Sequence, residues 1–289
     1  MKRVSRPALT VILPVLNAGS TLGQQLDALA RQRQDPTWEV VVADNGSTDG
    51  SLQLAAAWQD RLPALRVLDA SGCRGAGATR NAAARVARGD AFAFCDADDV
   101  VQPGWVEAYT AATTRHDFAA GSIFHFSDKG SVTPHRRQPS TEASVVLDFL
   151  PFADSANLMV VREAFDAVGG FAEDLVRSGD VDLSWRLQLA GYKLHFEPGA
   201  IVAKREKAHL DDLWRQEVAW GSADVELYLR FREHGLRRSS PLSTVRSQVR
   251  RVSSQPELAR FGNRRRWLAH AAHEWGRAKG SARRRVLFL

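Results

Sequence analysis

Along the first hundred residues, short apolar runs rich in Val, Leu and Phe alternate with longer stretches in which apolar positions recur every three or four residues. Runs that are apolar at every position belong to strands buried on both faces. This alternation therefore predicts a mostly parallel central sheet covered by helices, a three-layer α/β sandwich. The first strand is read from Leu9 to Leu16, and Ser20 or Thr21 is placed to cap a helix whose Leu22, Leu26 and Leu29 share one face. A second strand, Glu39 to Ala43, runs into the turn DNGSTDGS. A helix carrying Leu52, Leu54 and Trp58 follows, then a strand from Leu65 to Leu68. The Gly-rich SGCRGAGATRN opens a helix from Ala78 to Arg88, and the strand Ala91 to Cys95 ends in DADD. Each polar cluster thus falls just after a strand, at the carboxyl edge where open α/β sheets bind ligands.

Beyond Asp117 the pattern is less regular. Strands are expected near 118–126 and 157–161, a helix from about Asp180, and another from about Leu210 to Arg232, where Trp214, Val218, Val225 and Leu229 keep helical spacing. The main domain is drawn at residues 1–232 and a basic helical C-terminal extension at 233–289. Charge supports that division. Of 39 Lys and Arg and 33 Asp and Glu, sixteen and three lie between Arg230 and Leu289, a local balance of +13 that leaves −7 for the rest and +6 overall. In NRRRWLAHAAHEWGRAK, Trp267, Ala271 and Trp275 form one stripe with arginines around it. That pattern fits an interfacial helix at an anionic membrane, and equally a helix docked on the main domain with a solvated basic face.

The remaining composition narrows the class. At 44% apolar and 25% charged the chain is a folded globular protein. Its two cysteines, Cys73 and Cys95, imply neither a disulfide nor a thiolate metal site, which fits a reducing compartment. MKRVSRPALT lacks the apolar core of a signal peptide and no run is long enough to span a bilayer, so a cytoplasmic protein is expected, peripheral at most to the inner face of the membrane. Basic residues confined to a tail without a recognition module argue against nucleic acid.

Three clusters carry candidate chemistry. Asp96, Asp98 and Asp99 follow a buried strand, where their mutual repulsion would be relieved by a hard divalent cation bridging to a diphosphate; a solvated acidic turn has the same local sequence. Asp44, Asn45, Ser47 and Asp49 offer acceptors for a base and ribose, and also read as turn and cap residues; Ser47, Thr48 and Asp49 are assigned to capping and Asp44 to ligand. Gly75, Gly77, Thr79 and Arg80 supply a flexible loop, a helix start and a guanidinium for a diphosphate. A dinucleotide fingerprint is disfavoured, because the loop follows the third strand and Arg80 replaces its last glycine. Asp180 and Asp182 open a helix, where either could act as a base or cap the helix, and Arg186 stands four residues after Asp182, at ion-pair spacing.

Taken in order, VILPVLN, ADNGSTDGS, GAGATRNAAARVARGD, FCDADD, NLMVVREAFDAVGGF and GDVDLSWRLQLAGYK resemble the family 2 glycosyltransferases of GT-A fold over about residues 8 to 220. Each motif alone is weak; six in sequence are specific. The resemblance implies a nucleoside-diphosphate-sugar donor, Mg2+ or Mn2+, and inversion at the anomeric carbon; the expected acceptor is a carbohydrate or, from the basic tail around Trp267 and Trp275, a lipid-linked one. It implies that Pro14, Val15, Asn17, Asp44, Asn45, Arg80, Asp96 and Ala97 bind the donor nucleotide and that Asp98 holds the metal. Asp180 is implied as catalytic base, with Asn157, Asp182 and Trp185 as acceptor-side or structural residues. Two positions depart from the pattern. Gly179 stands where a Glu often precedes the base, and Lys204 stands where many relatives carry a metal-binding His; an ammonium cannot ligate a cation but can touch a diphosphate. A nucleotidyltransferase would carry its Gly-rich loop after the first strand, where this chain has PVLNAGS. A non-catalytic carbohydrate or membrane binder, the other alternative, would not hydrolyse donor in the presence of metal.

Overall fold

The structure is a computed structural model that describes residues 6–33, 38–62, 65–126, 138–206, 209–238 and 264–288. Its contacts divide the chain into two compact units, residues 1–144 with 150–206, and residues 145–149 with 207–289.

Continuous burial sets the logic of the first unit. β1 (Leu9–Val15) is buried at all but one position and β2 (Trp38–Asp44) at every position, so each needs helices on both sides. Between and after them come α1 (Leu22–Ala30), α2 (Ser51–Ala57), β3 (Leu65–Asp69), α3 (Gly75–Val86), β4 (Ala91–Phe94), β5 (Val100–Val101) and α4 (Trp105–Ala112). The chain continues through β6 (Phe118–Phe126), short β7 (Ser144–Val145) and β8 (Pro151–Phe152), β9 (Leu158–Val161), α5 (Arg162–Ala167), α6 (Gly179–Leu189) and β10 (Leu194–Arg205). Eight strands form one sheet in the order β3-β2-β1-β4-β9-β6-β10-β5. β1 pairs in parallel with β2 and β4, β2 with β3, and β6 with β10, while β9 runs antiparallel between β4 and β6. One face is closed by Leu22, Leu26 and Leu29 of α1 and Trp105 and Tyr109 of α4. The other is closed by Ala83 and Ala84 of α3, Phe165 of α5 and Leu183 and Leu187 of α6. On that second face Phe92, Phe94, Phe165 and Phe171 pack ring against ring at 5.2–6.2 Å. This is the expected three-layer sandwich.

Local details differ from the sequence reading. β1 stops at Val15, and Leu16 is exposed. Neither Ser20 nor Thr21 caps α1 through its side chain; the carbonyl of Ala18 instead accepts the Thr21 and Leu22 N–H groups. α3 starts at Gly75 rather than Ala78, because Gly75 adopts φ +87° and lets the chain turn straight into the helix.

In the second unit α7 (Leu210–Phe231) and α8 (Arg264–Arg284) pack in parallel, since the pairs Glu217–His273, Asp224–Arg277 and Glu226–Arg284 advance together along both helices. Their backbones touch: a Cβ on Gly221 would lie 1.9 Å from the His273 carbonyl oxygen, and one on Gly276 would lie 2.2 Å from that of Val218. By contact, then, α7 groups with the tail, whereas the sequence reading drew its boundary after Arg232; residues 239–263 of the expected extension lie outside the described ones. Among the described residues no helix is long and apolar enough to cross a membrane.

Candidate active site

Four strand ends and one helix start converge at the carboxyl edge of the sheet. The first two loops hold each other. Asn17, at φ 51°, accepts the Thr48 N–H on Oδ1 at 2.8 Å, while its own N–H donates to Ser47 Oγ at 2.9 Å. Asp49 Oδ1 accepts the Ser51 hydroxyl at 2.5 Å and Oδ2 the Gly19 N–H at 2.8 Å, which depress its carboxyl, with the Ser51 N–H also on Oδ1 at 3.1 Å, and Gly50 opens α2. The N-cap of α2 is thus Gly50, with no side-chain cap; Asp49 holds Ser51, the first helical residue, while Ser47 and Thr48 join loops rather than cap. The two oxygens of Asp44 differ. Oδ2 receives the Gly46 and Ser47 N–H groups at 3.1 and 3.0 Å, whereas Oδ1 is buried without a protein partner, an acceptor left over for a ligand. The Asn45 amide, turned to donate, reaches the carbonyls of Ala70 and Cys73 at 3.0 and 2.9 Å and so fastens the third loop. Pro14 is half-buried and Val15 and Ala97 are buried.

The acidic cluster lies after β4. Asp96, Asp98 and Asp99 each bring one carboxylate oxygen within 4.8 Å of the others. Arg80 Nη2 donates to Asp96 Oδ1 at 2.5 Å, so two residues assigned separately to the donor are one ion pair. Burial, then repulsion from Asp96 and Asp98, lifts the Asp99 carboxyl well above the usual carboxylate range, and its Oδ2 is buried without a partner. A buried orphan oxygen beside two further carboxylates is an oxygen-only donor set that suits a hard divalent ion. The end of β10 braces this turn. Arg205 donates its backbone N–H to Asp99 Oδ1 at 2.8 Å, Nε to the Asp98 carbonyl at 2.9 Å and Nη2 to Gln24 Oε1 at 2.6 Å.

Asp180 sits in the first turn of α6. Its Oδ2 accepts the Ser155 N–H at 3.1 Å and Oδ1 the Val181 N–H at 2.9 Å. Burial, and next the charge of Asp154, raise its carboxyl above the ordinary value against the pull of the Ser155 N–H, Lys204 and Arg80. Asp154 shows the reverse balance: burial opposes its charge, yet the hydrogen-bonded Lys204 ammonium holds it low. Sequence reasoning had no signal for Asp154, a lone acid before a strand, nor for Arg205, one residue past the noted Lys204.

The three residues given an acceptor-side or structural role serve the frame. Asn157 is fully buried; Oδ1 accepts from Trp105 Nε1 and Tyr109 OH, and Nδ2 donates to the Ser122 and Ala200 carbonyls, all at 2.8 Å. Gly121 is required beside it, since a Cβ there would lie 2.3 Å from Asn157 Nδ2. Asp182 is paired with Arg186, which also holds the Val168 and Gly170 carbonyls, and buried Trp185 donates to the Leu150 carbonyl at 2.8 Å.

The family model described as Glycosyl transferase family 2 matches residues 10–171. The chain belongs to this family. It is a glycosyltransferase, and curated relatives agree: a validoxylamine A glucosyltransferase of Streptomyces hygroscopicus subsp. limoneus is 38% identical over 80% of this chain and 49% of its own length. Glycosyltransferase AglE of Haloferax volcanii is 26% identical over 77% and 75%. The glycosyltransferase thus spans about half of the first relative and three quarters of the second. Among solved structures, mannosyltransferase PcManGT from Pyrobaculum calidifontis, in complex with GDP-Man and Mn2+, superposes with TM-score 0.60 at 20% identity, covering 96% of this chain and 74% of that one. S. aureus TarS 1-349 with UDP-GlcNAc gives 0.55 at 17%, covering 97% and 93%. These likenesses establish the GT-A fold.

Proposed function

We propose that this glycosyltransferase moves a sugar from a nucleoside diphosphate to an acceptor hydroxyl with inversion, in a single in-line displacement. The acceptor oxygen bonds to the anomeric carbon as the bond from that carbon to the diphosphate oxygen breaks, and the hydroxyl proton passes to Asp180. The observation that carries this reading is the state of Asp180: fixed by two backbone N–H groups and raised from its ordinary value by burial and Asp154, it is a preorganised base. The leaving diphosphate takes the electron pair, and Arg80 supplies positive charge to meet it. Asp44, through its unused oxygen, is assigned to the donor's base or ribose, beside Asn17 and Asn45, which shape the loops around it. Asp98, with Asp96 and Asp99 beside it, would hold Mg2+ or Mn2+, which supplies further charge to the diphosphate when bound.

The acceptor is read as a carbohydrate or lipid-linked sugar on the cytoplasmic side of the membrane. Support for a surface contact comes from α8, where Trp267 and Trp275 are 66% and 56% exposed along one stripe that continues into Lys279 and Arg283.

A thermal-shift screen against UDP, GDP, dTDP and CDP and their sugars, with and without Mn2+, tests the donor assignment. One nucleotide family is expected to raise the melting temperature, and the product formed from its sugar should have the opposite anomeric configuration to the donor by NMR. A product of retained configuration discards the single displacement.

A further inference from the structure

The acidic site is partly neutralised by the chain's own cations. Asp96 is paired with Arg80 at 2.5 Å, and Asp99 Oδ1 is taken by the Arg205 N–H. Lys204, at the end of β10, is hydrogen-bonded to Asp154 and also faces Asp99 and Asp96. The Lys204 and Asp154 side chains are 24% and 29% exposed, so the pair, though burial opposes both charges, still reaches solvent. A partly solvated ammonium with one carboxylate partner is readily re-partnered by an anion of higher charge, and a diphosphate carries more charge and more acceptor oxygens than a single carboxylate.

Building on the donor reading above, we propose that Lys204 is a built-in cation for the donor's diphosphate, held by Asp154 until the nucleotide arrives, so that nucleoside diphosphates bind this chain without a divalent ion. Asp154 is then a competitor of the nucleotide as well as an anchor for the lysine. Substituting the two residues therefore has opposite consequences. Removing the ammonium takes away the contact, whereas removing the rival carboxylate releases the ammonium and deletes a negative charge beside the diphosphate. A merely structural ion pair would weaken binding from either side.

Isothermal titration of the full chain with UDP, GDP, dTDP and CDP in turn, in EDTA and again in Mn2+, reads this directly. The parent is expected to bind one of them in EDTA. Lys204→Met should weaken that binding by about tenfold to a hundredfold, the range of a hydrogen bond to a charged group. Asp154→Asn should strengthen it by about fivefold, the equivalent of one partly exposed ion pair. Recovery of Lys204→Met binding in Mn2+ would confirm that this variant is folded and that the ion replaces the lost charge. Parent binding that appears only with Mn2+, equal binding by parent and Lys204→Met in EDTA, or a parallel loss in both variants overturns the proposal. If none of the four nucleotides binds under either condition, the donor reading itself fails, and this inference with it.

Discussion

In the helix pair of the second unit, buried Asp224 and half-buried Glu217 face cations: Asp224 Oδ2 lies 2.9 Å from His273 Nε2 and 2.7–2.8 Å from Arg277, and Glu217 lies 3.2 Å from His273 Nδ1. At the sheet edge the acids also face one another, Asp96, Asp98 and Asp99 within 4.8 Å and Asp180 under the charge of Asp154. The first arrangement lowers the energy of the charged state and locks two helices. The second raises it, so that Asp99 and Asp180 are held toward their protonated forms. Similar side chains thus stabilise one unit and load the other with electrostatic work that a cation, a ligand or a proton can relieve.

Replacing Asp180 with Asn tests this most severely. Turnover is expected to fall by about 10²–10⁴-fold, the contribution of a general base. Nucleotide affinity should hold, and the melting temperature should stay level or rise, because the fold no longer carries a disfavoured charge. In Asp224→Asn the sign reverses: a buried partner of both His273 and Arg277 is removed, and a loss of about 3–5 kcal/mol in urea melts is expected. If both Asp→Asn changes shift stability in the same direction, the contrast between the units is wrong. Next in size comes Gly276→Ala. Within an exposed helix that change normally stabilises, by up to about 1 kcal/mol. Here the new Cβ meets the Val218 carbonyl oxygen at 2.2 Å, and a loss of roughly 3 kcal/mol is expected instead.

What the sequence revealed depends on whether a feature is local. β1, β2 and β4 are legible because their apolar runs are continuous, and the polar clusters after them follow from strand direction alone. Asp96, Asp98 and Asp99 were named together and lie together, since four consecutive positions after a buried strand have little freedom. Long-range partners were not readable. No local pattern joins Asp154 to Lys204, or Arg205 to Asp98 and Asp99 across the sheet. The same limit explains Asn157: its position near the site was legible, but its four hydrogen bonds to α4, β6 and β10 were not. The capping errors have another cause. Ser20, Thr21, Ser47 and Thr48 all have cap chemistry, and only loop-to-loop contacts decide which of them uses it.

The smallest effect is confined to a pH window and is read from His273. Burial works against its charge, but hydrogen bonds to Asp224 and Glu217 outweigh it and raise its pKa to about 9, against an unfolded value near 6.5. Because the folded value is the higher one, the stabilisation is complete below about pH 6.5 and disappears as pH rises through about 9. Its ceiling is about 3 kcal/mol, one pKa step being worth about 1.4 kcal/mol. Urea melts of the parent followed by circular dichroism at pH 6, 7.5 and 9.5 should therefore decline, while His273→Gln should begin lower and lose the decline between the last two points. A parent curve with the slope of the variant would mean that Arg277 alone balances Asp224, and that His273 is neutral in the helix pair.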